Sequence, residues 1–273
     1  MDLEQPSGDA PERVHVHHMR PDEILARRAE TPVVFLPVGP LEWHGPHLPF
    51  GVDPLRAELA AAELALRLGG VVCPTLYAGT ERERSPEMLR NIGFGGDEYV
   101  VGMDFPSVAL PSLYFREEVF ALVLRHWLDL LIGNWGFRTI VIVNGHGGEN
   151  HLAVIRRLCT EYGGEGRARV LLVAPVENYP DSGSGHATLE ETETLMAHFP
   201  DDVDLGRLPP RPEPLENLDW AVVDDASFRG RSATHRVCEE EDPRLADPES
   251  GRARFARTLD QLEALLRSQL SSR

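Results

Sequence analysis

The chain has 273 residues, 42% of them hydrophobic, and a formal net charge of −17. That is apolar content enough for one large α/β domain or two small ones, and the acidic balance disfavours a general phosphate-backbone binder, so no nucleic-acid partner is expected. Cys73, Cys159 and Cys238 lie far apart without CxxC spacing, and no apolar run reaches the ~18 residues of a membrane span, which together argue for a reducing cytoplasm, no disulfide framework and no membrane partner.

In chain order, residues 1–20 hold Gln5-Pro6-Ser7-Gly8 and the cluster His15, His17 and His18, and read as a flexible N-terminal arm rather than a metal site. The domain proper is expected over 21–273. Pro21–Arg28 reads as a short helix with proline at its start and arginines at its end. Val33–Gly39 is an apolar run of strand length, as in a strand buried on both faces. Pro54–Leu68 should be a helix closed by Gly69-Gly70, and Val71–Tyr77 a second strand. Residues 79–112 show no period and read as a rim or oligomer contact. Phe115–Ile132 is helical again, up to Gly136. Thr139–Val143 is a third strand, His151–Tyr162 a helix and Arg169–Ala174 a fourth strand, with a further helix beginning in Gly185–Thr192. Residues 200–250 are Pro-rich and then acidic, without a sustained hydrophobic period, and read as a covering segment. In 251–270, Phe255, Leu259, Leu262, Leu265 and Leu266 fall at helical spacing, an amphipathic helix packed on the body. Alternating strands and helices predict a single α/β domain with a mostly parallel sheet flanked by helices on both faces.

The chemistry gathers where strands end. Glu42, His44, His47 and Asp53 fall within twelve residues, in a loop whose backbone Pro40, Pro46 and Pro49 fix. Glu42 and His44 are one residue apart and point to the same side of an extended segment. Asp53, just before a helix, is placed to bridge two cations. His146 follows the third strand in a Gly-rich turn, where a ligand can approach the backbone. Two imidazoles with several carboxylates suit Zn²⁺, Mn²⁺ or Fe²⁺. Two ions ~3.5–4 Å apart in each subunit would hold a hydroxide that attacks a carbonyl. No G-x-S-x-G competes, and Cys73 stands alone. His47 reads as a structural hydrogen-bonder, and Asn144 and Asn150 as holders of the turn.

Glu42–Asp53 (E-W-H-G-P-H-L-P-F-G-V-D), Asn144–Asn150 (N-G-H-G-G-E-N) and Gly185–Thr192 (G-H-A-T-L-E-E-T) resemble the three signature segments of the creatininase (creatinine amidohydrolase) family. Asp242–Ala246 followed by Gly251-Arg252 resembles its C-terminal segment. The resemblance implies a parallel α/β sheet and a homo-oligomer, a hexamer in many members. It places Glu42, His44, Asp53 and His146 as metal ligands, Asp53 as the bridge and His186 as the catalytic histidine. Glu191 matches the glutamate of the family's E-T-S triplet, with Glu193 in place of the serine.

Two positions depart. Gly148 stands where creatininases carry a metal-binding glutamate, so either Glu149 or Glu191 must complete the second site, and Glu191 is the choice because Glu149 occupies a position that is asparagine in most relatives. Ser182 stands where creatininases cover the substrate ring with tryptophan, which points away from creatinine itself. Glu149, Asn144 and Trp43 are expected to touch substrate or support the ligands. The activity implied is metal-dependent hydrolysis of a small cyclic amide, formamide or related acyl compound by attack of metal-bound hydroxide. The alternatives are a peptidase or ring-opening hydrolase for a cofactor precursor or oxidised cyclitol, and a non-catalytic metal-binding member of the fold.

Overall fold

Two runs of β-branched and aliphatic residues, Val33–Gly39 and Thr139–Asn144, pair in parallel from Val33 against Thr139 to Val38 against Asn144. The computed structural model around this pair describes residues 13–271, except 82–83, 99–101, 107, 109, 165, 182–184, 219–220 and 224–234. The elements in order are α1 (Pro21–Glu30), β1 (Val33–Gly39), α2 (Val52–Leu68), β2 (Val71–Val72), β3 (Leu76–Tyr77), α3 (Pro86–Asn91) and α4 (Glu117–Asp129). There follow β4 (Thr139–Asn144), α5 (Glu149–Gly164), β5 (Arg169–Val173), α6 (Leu189–His198), three short strands β6 (Glu216–Leu218), β7 (Ala221–Val223) and β8 (His235–Arg236), and α7 (Pro248–Ser271).

The main sheet has the order β2-β1-β4-β5, with β3 also pairing β1, and every pairing is parallel. Alternation along the strands divides the core in two. Val34, Leu36, Val38, Ile140 and Ile142 pack with Phe120 and Leu124 of α4 and Val154 and Leu158 of α5. Val33, Phe35, Val141 and Val143 face the other way, onto Ala57, Ala61 and Leu64 of α2 and Phe255, Leu259 and Leu262 of α7. The fold class read from the sequence is the one observed, an α/β domain with a parallel sheet between two helical layers.

Three details differ from expectation. The strand predicted over 71–77 is two short pieces, because Pro74 has no N–H for the ladder and the chain leaves the sheet there. The covering segment 200–250 contains a small sheet of its own, β7-β6-β8, antiparallel throughout; strands of two or three residues are too short to leave a period in the sequence. Leu208 and Leu215 of that segment are buried with Leu48, Val52 and Leu195. From Val14 onward the N-terminal segment is docked rather than free: Val14 and Val16 are buried, and the Val72 N–H donates to the Val14 carbonyl at 2.8 Å. The Gln5–Gly8 part of that arm lies outside the described residues.

The strands matter for where they stop. Gly39 at the end of β1 and Gly145 just after β4 both meet the first turn of α2. A Cβ on Gly145 would sit 2.1 Å from the Asp53 carbonyl oxygen, and one on Gly39 2.8 Å from the Pro54 nitrogen. The absence of side chains at these two points lets α2 start against both strand ends, at the sheet edge where parallel α/β folds place ligands. Gly145→Ala should therefore cost about 1–3 kcal/mol, the usual price of an overpacked contact. A urea unfolding midpoint unchanged from wild type would show that α2 is not held this closely.

Candidate metal centre

The segment after β1 is fixed on both sides. The Glu42 N–H donates to the Phe50 carbonyl at 2.9 Å, and Leu41 bridges Leu113. The Trp43 N–H donates to Ser112 Oγ at 2.9 Å. Glu42 and His44 thus point inward together, towards Asp53 in the first turn of α2 and His146 beyond β4. All four are buried.

Asp53 is the shared member. Its Oδ2 lies 3.0 Å from His146 Nδ1, and Glu42 Oε2 lies 2.9 Å from the same nitrogen. Its Oδ1 lies 3.3 Å from His44 Nε2, with Glu191 Oε2 at 3.8 Å from that nitrogen. Glu42–Asp53–His146 and His44–Asp53–Glu191 are therefore two candidate ligand groups, each with donor atoms within 4.8 Å of one another and one carboxylate in common. Glu42, His44 and His186 form a third such group.

The electrostatics call for cations. Burial opposes charge on His44, but Asp53, Glu191 and Glu42 outweigh it and raise its pKa to about 9. Burial likewise opposes charge on His146, and Glu42, Asp53 and Glu81 hold its pKa well above the ordinary value. Burial would raise the Asp53 pKa, yet the two imidazoles hold it well below the carboxylate range. One imidazole N–H facing two carboxylates makes only a shared hydrogen bond to each, whereas these three groups together match a divalent ion's ligand set. His44 Nε2 is buried without a hydrogen-bond partner among the described residues, as expected of a nitrogen reserved for an ion. The donor set fits Zn²⁺ or Mn²⁺.

His186 stands beside this cluster. Its Nε2 donates to the Trp43 carbonyl at 2.6 Å, and its ring lies 4.1 Å from that of His44. Nδ1 faces Glu42 Oε1 at 3.9 Å. Burial lowers its pKa, helped by His44 and opposed by Glu42, so the ring is held neutral with one nitrogen turned to the site. Ala187, next in the chain, sits at φ 57°, an uncommon conformation for a residue with a Cβ. The backbone turns sharply there between His186 and α6.

The other expected residues are placed as follows. Glu191 reaches the centre, and Glu149 does not: it is exposed at the start of α5 and borders the cavity. Asn144 Oδ1 accepts from the His146 N–H at 3.3 Å and from His151 Nε2 at 2.7 Å, while its Nδ2 donates to the His146 carbonyl, so it holds the turn. Trp43 contributes its carbonyl rather than its ring, because the indole packs edge-on against Phe105 with Leu89 and Ile92. His47 donates to Thr192 Oγ1 at 3.0 Å, and burial with His44 and His186 nearby lowers its pKa to about 3. Glu193 pairs with Arg254 at 3.0 Å. Ser182 lies outside the described residues.

Four participants left no readable signal in the sequence. Glu81 is buried with Oε2 3.3 Å from His146 Nε2. The Tyr114 hydroxyl donates to Glu42 Oε1 at 2.5 Å. Glu81 comes from the aperiodic stretch 79–112 and Tyr114 from just beyond it, and both reach the centre. His151 backs Asn144. Arg56, fully enclosed in α2, donates to Glu191 Oε1 at 2.8 Å, to the Pro175 carbonyl at 3.1 Å and to Glu190 at 3.2 Å. It shares the buried face of α2 with Ala57, Ala60 and Ala61.

A parallel α/β sheet with carboxylates and imidazoles gathered at its strand ends defines the class, a metal-site hydrolase fold. A sequence model of the creatininase family, described as creatinine amidohydrolase, matches residues 17–266, and the chain belongs to that family. It is 26% identical to the creatinine amidohydrolase of Pseudomonas putida over 199 residues, which are 66% of this chain and 69% of that one. It is 29% identical to the mycofactocin precursor peptide peptidase of Mycolicibacterium smegmatis over 179 residues, 63% of this chain and 60% of the relative. It is 26% identical to the 3-dehydro-scyllo-inosose hydrolase of Thermotoga maritima over 147 residues, 54% of this chain and 39% of the relative. The match thus spans less than two thirds of two of these relatives. Among solved structures, a creatinine amidohydrolase superposes with TM-score 0.67 at 21% identity, covering 96% of this chain and all of that one. A structure named creatininase Mn gives 0.65 at 22%, covering 95% and 100%; at these identities the likeness is one of fold. No helix among the described residues is long and apolar enough to cross a membrane.

The buried Arg56–Glu191 pair makes a prediction of its own. Arg56→Met should lower stability by about 3–5 kcal/mol, because it strands a buried carboxylate. Adding Glu191→Gln should return part of the loss, as read from urea midpoints. If the double variant is no more stable than the single one, the two groups are not coupled.

Proposed function

We propose that the protein is a metal-dependent amidohydrolase acting on a small cyclic amide, formamide or related acyl compound. The observation that carries this reading is Asp53, one carboxylate turned by its two oxygens towards two separate histidine–carboxylate groups. Glu42, Asp53 and His146 would hold one ion, and His44, Asp53 and Glu191 the other. Divalent ions there supply Lewis-acid polarisation of a carbonyl and a water acidified towards neutrality.

The rest falls to the chain. The His44 Nδ1–H donates to the Glu42 carbonyl at 3.0 Å, which fixes the ring so that Nε2 faces Asp53 and Glu191. Arg56 and the Ala187 N–H, the latter at 2.7 Å, hold the two oxygens of Glu191 in place. Tyr114 occupies Glu42 Oε1 and leaves Oε2 to the centre. His186, neutral and anchored through Nε2 on Trp43, offers Nδ1 to take a proton from the attacking water and return it to the leaving nitrogen or oxygen. The cavity above these groups measures about 460 Å³, with Leu152, Val176 and Tyr179 among its walls. That is room for a small molecule. The free state of Cys73, Cys159 and Cys238 supports a reducing cytoplasmic setting. A homo-oligomer is part of the same reading.

The membership of His186 in the third ligand group favours a second reading, a metal-binding protein without turnover in which His186 ligates an ion. Two experiments separate them. The purified chain should carry one or two equivalents of Zn²⁺ or Mn²⁺ by elemental analysis, and Asp53→Ala should lose more than any other single ligand variant. A wild-type content under a tenth of an equivalent after metal-supplemented growth would sink the metal reading. His186→Ala should keep its metal while kcat on a panel of lactams, lactones and formamides falls roughly 10²–10⁴-fold, the usual worth of an acid–base group. Loss of metal from that variant would make His186 a ligand.

A further inference from the structure

The two site histidines present different nitrogens to the centre, and each needs its other nitrogen held. His44 faces Asp53 and Glu191 with Nε2, and its Nδ1–H is taken by the Glu42 carbonyl. His146 is turned the other way, with Nδ1 2.9 Å from Glu42 and 3.0 Å from Asp53. To ligate through Nδ1 it must carry its proton on Nε2, and a buried N–H requires an acceptor. Among the described residues no backbone carbonyl takes that role. Among the described residues Nε2 has no aligned hydrogen-bond partner, and the carboxylate nearest to it is Glu81, with Oε2 at 3.3 Å.

We infer that Glu81 is the positioning residue of the His146 ligand: its carboxylate accepts the Nε2–H, fixes that tautomer and leaves the Nδ1 lone pair to the Glu42–Asp53 group. A small turn of the carboxylate brings the 3.3 Å contact into line. Metal-bound histidines are generally oriented in this way by a carboxylate or carbonyl behind the ring. The neighbouring chain leaves space for it. A Cβ on Gly148 would lie 2.5 Å from His146 Nε2 and 2.8 Å from Glu81 Oε2, so any side chain at 148 would enter the space where the two groups meet. Glu81 itself is buried and comes from outside the three motif segments, on the stretch that follows β3. It is therefore a part of the centre supplied by the wall rather than by the strand ends. The inference rests on the metal reading above, and deepens it at one ligand.

The test uses the full chain loaded with Zn²⁺. Affinity is measured by competition with a chelator, and the His146 tautomer by long-range proton–nitrogen NMR, its signals assigned by their loss in His146→Asn. Wild type should show Nε2 protonated and Nδ1 bound to the ion. Glu81→Ala should weaken the ion held with Glu42 and Asp53 about 10–100-fold, the usual cost of losing the group behind a ligand. Glu81→Gln, whose amide oxygen still accepts from Nε2–H, should recover most of that loss and keep the same tautomer. Zn²⁺ affinity of Glu81→Ala equal to wild type would overturn the inference. So would a loss as deep as that of Glu42→Ala with no recovery in Glu81→Gln, since Glu81 would then be a direct ligand. Finding Nε2 to be the metal-bound nitrogen in wild type would overturn it as well. A wild-type chain that takes up no Zn²⁺ at all would instead remove the metal reading, and this inference with it.

Discussion

The structure depends on burying an excess of carboxylate at one end of an apolar sheet. Glu42, Asp53, Glu81 and Glu191 are all buried within reach of two imidazoles. Charges in such a place are tolerated only when each is matched. Arg56 takes one oxygen of Glu191 and Tyr114 one oxygen of Glu42. Asp53 stands in the first turn of α2, where the exposed N–H groups and the helix dipole favour negative charge. What these partners leave uncovered is a set of oxygens turned inward on His44 and His146. The protein fold supplies the outer half of the charge balance, and the inner half is a site that favours positive charge.

This explains why the helices begin where they do. β1 and β4 are adjacent and parallel, so their carboxyl ends lie side by side. The Gly145 N–H donates to the Val38 carbonyl at 2.9 Å and carries the pairing one residue past β4. With no side chain on Gly39 or Gly145, α2 can start directly above both ends, and Asp53 in its first turn sees ligands from each strand. A helix begun one turn later would leave Asp53 on a loop, and one oxygen could not face His44 while the other faced His146. The shared place of Asp53 between the two candidate groups thus follows from strand adjacency together with two close backbone contacts.

Much of this was legible from the chain. Strands announce themselves as apolar runs, and residues that follow a buried parallel strand are known in advance to share one edge. Glu42, His44, Asp53 and His146 could therefore be assembled from spacing alone. Glu81 and Tyr114 could not, because an aperiodic stretch gives no face or direction, and their contacts are made across long loops. Arg56 was hidden by its setting, since a charged residue in a helix is ordinarily solvated. Trp43 supports the site through its carbonyl, which holds His186, while alternation sends its ring to the opposite side, into the Phe105 cluster. The small β6–β8 sheet is too short to carry a period.

The division between strand ends and walls also bears on substrate choice. The floor of the cavity is made by residues after β1, β4 and β5, whose positions follow from the sheet and change little without unfolding it. The walls come from Met103 and Arg84 in the stretch between β3 and α4, from Leu152 and Arg156 on α5, and from Tyr179 on the same connection after β5 that bears His186. Loop and helix-surface residues can change without disturbing the charge balance beneath them. Such a division separates the residues that carry the charge balance from those that shape the cavity above it. Here the wall is not wholly separate from the floor, because the stretch that bears Arg84 and Met103 also sends Glu81 to His146. That stretch therefore contributes both to the cavity wall and to the buried carboxylate cluster beneath it.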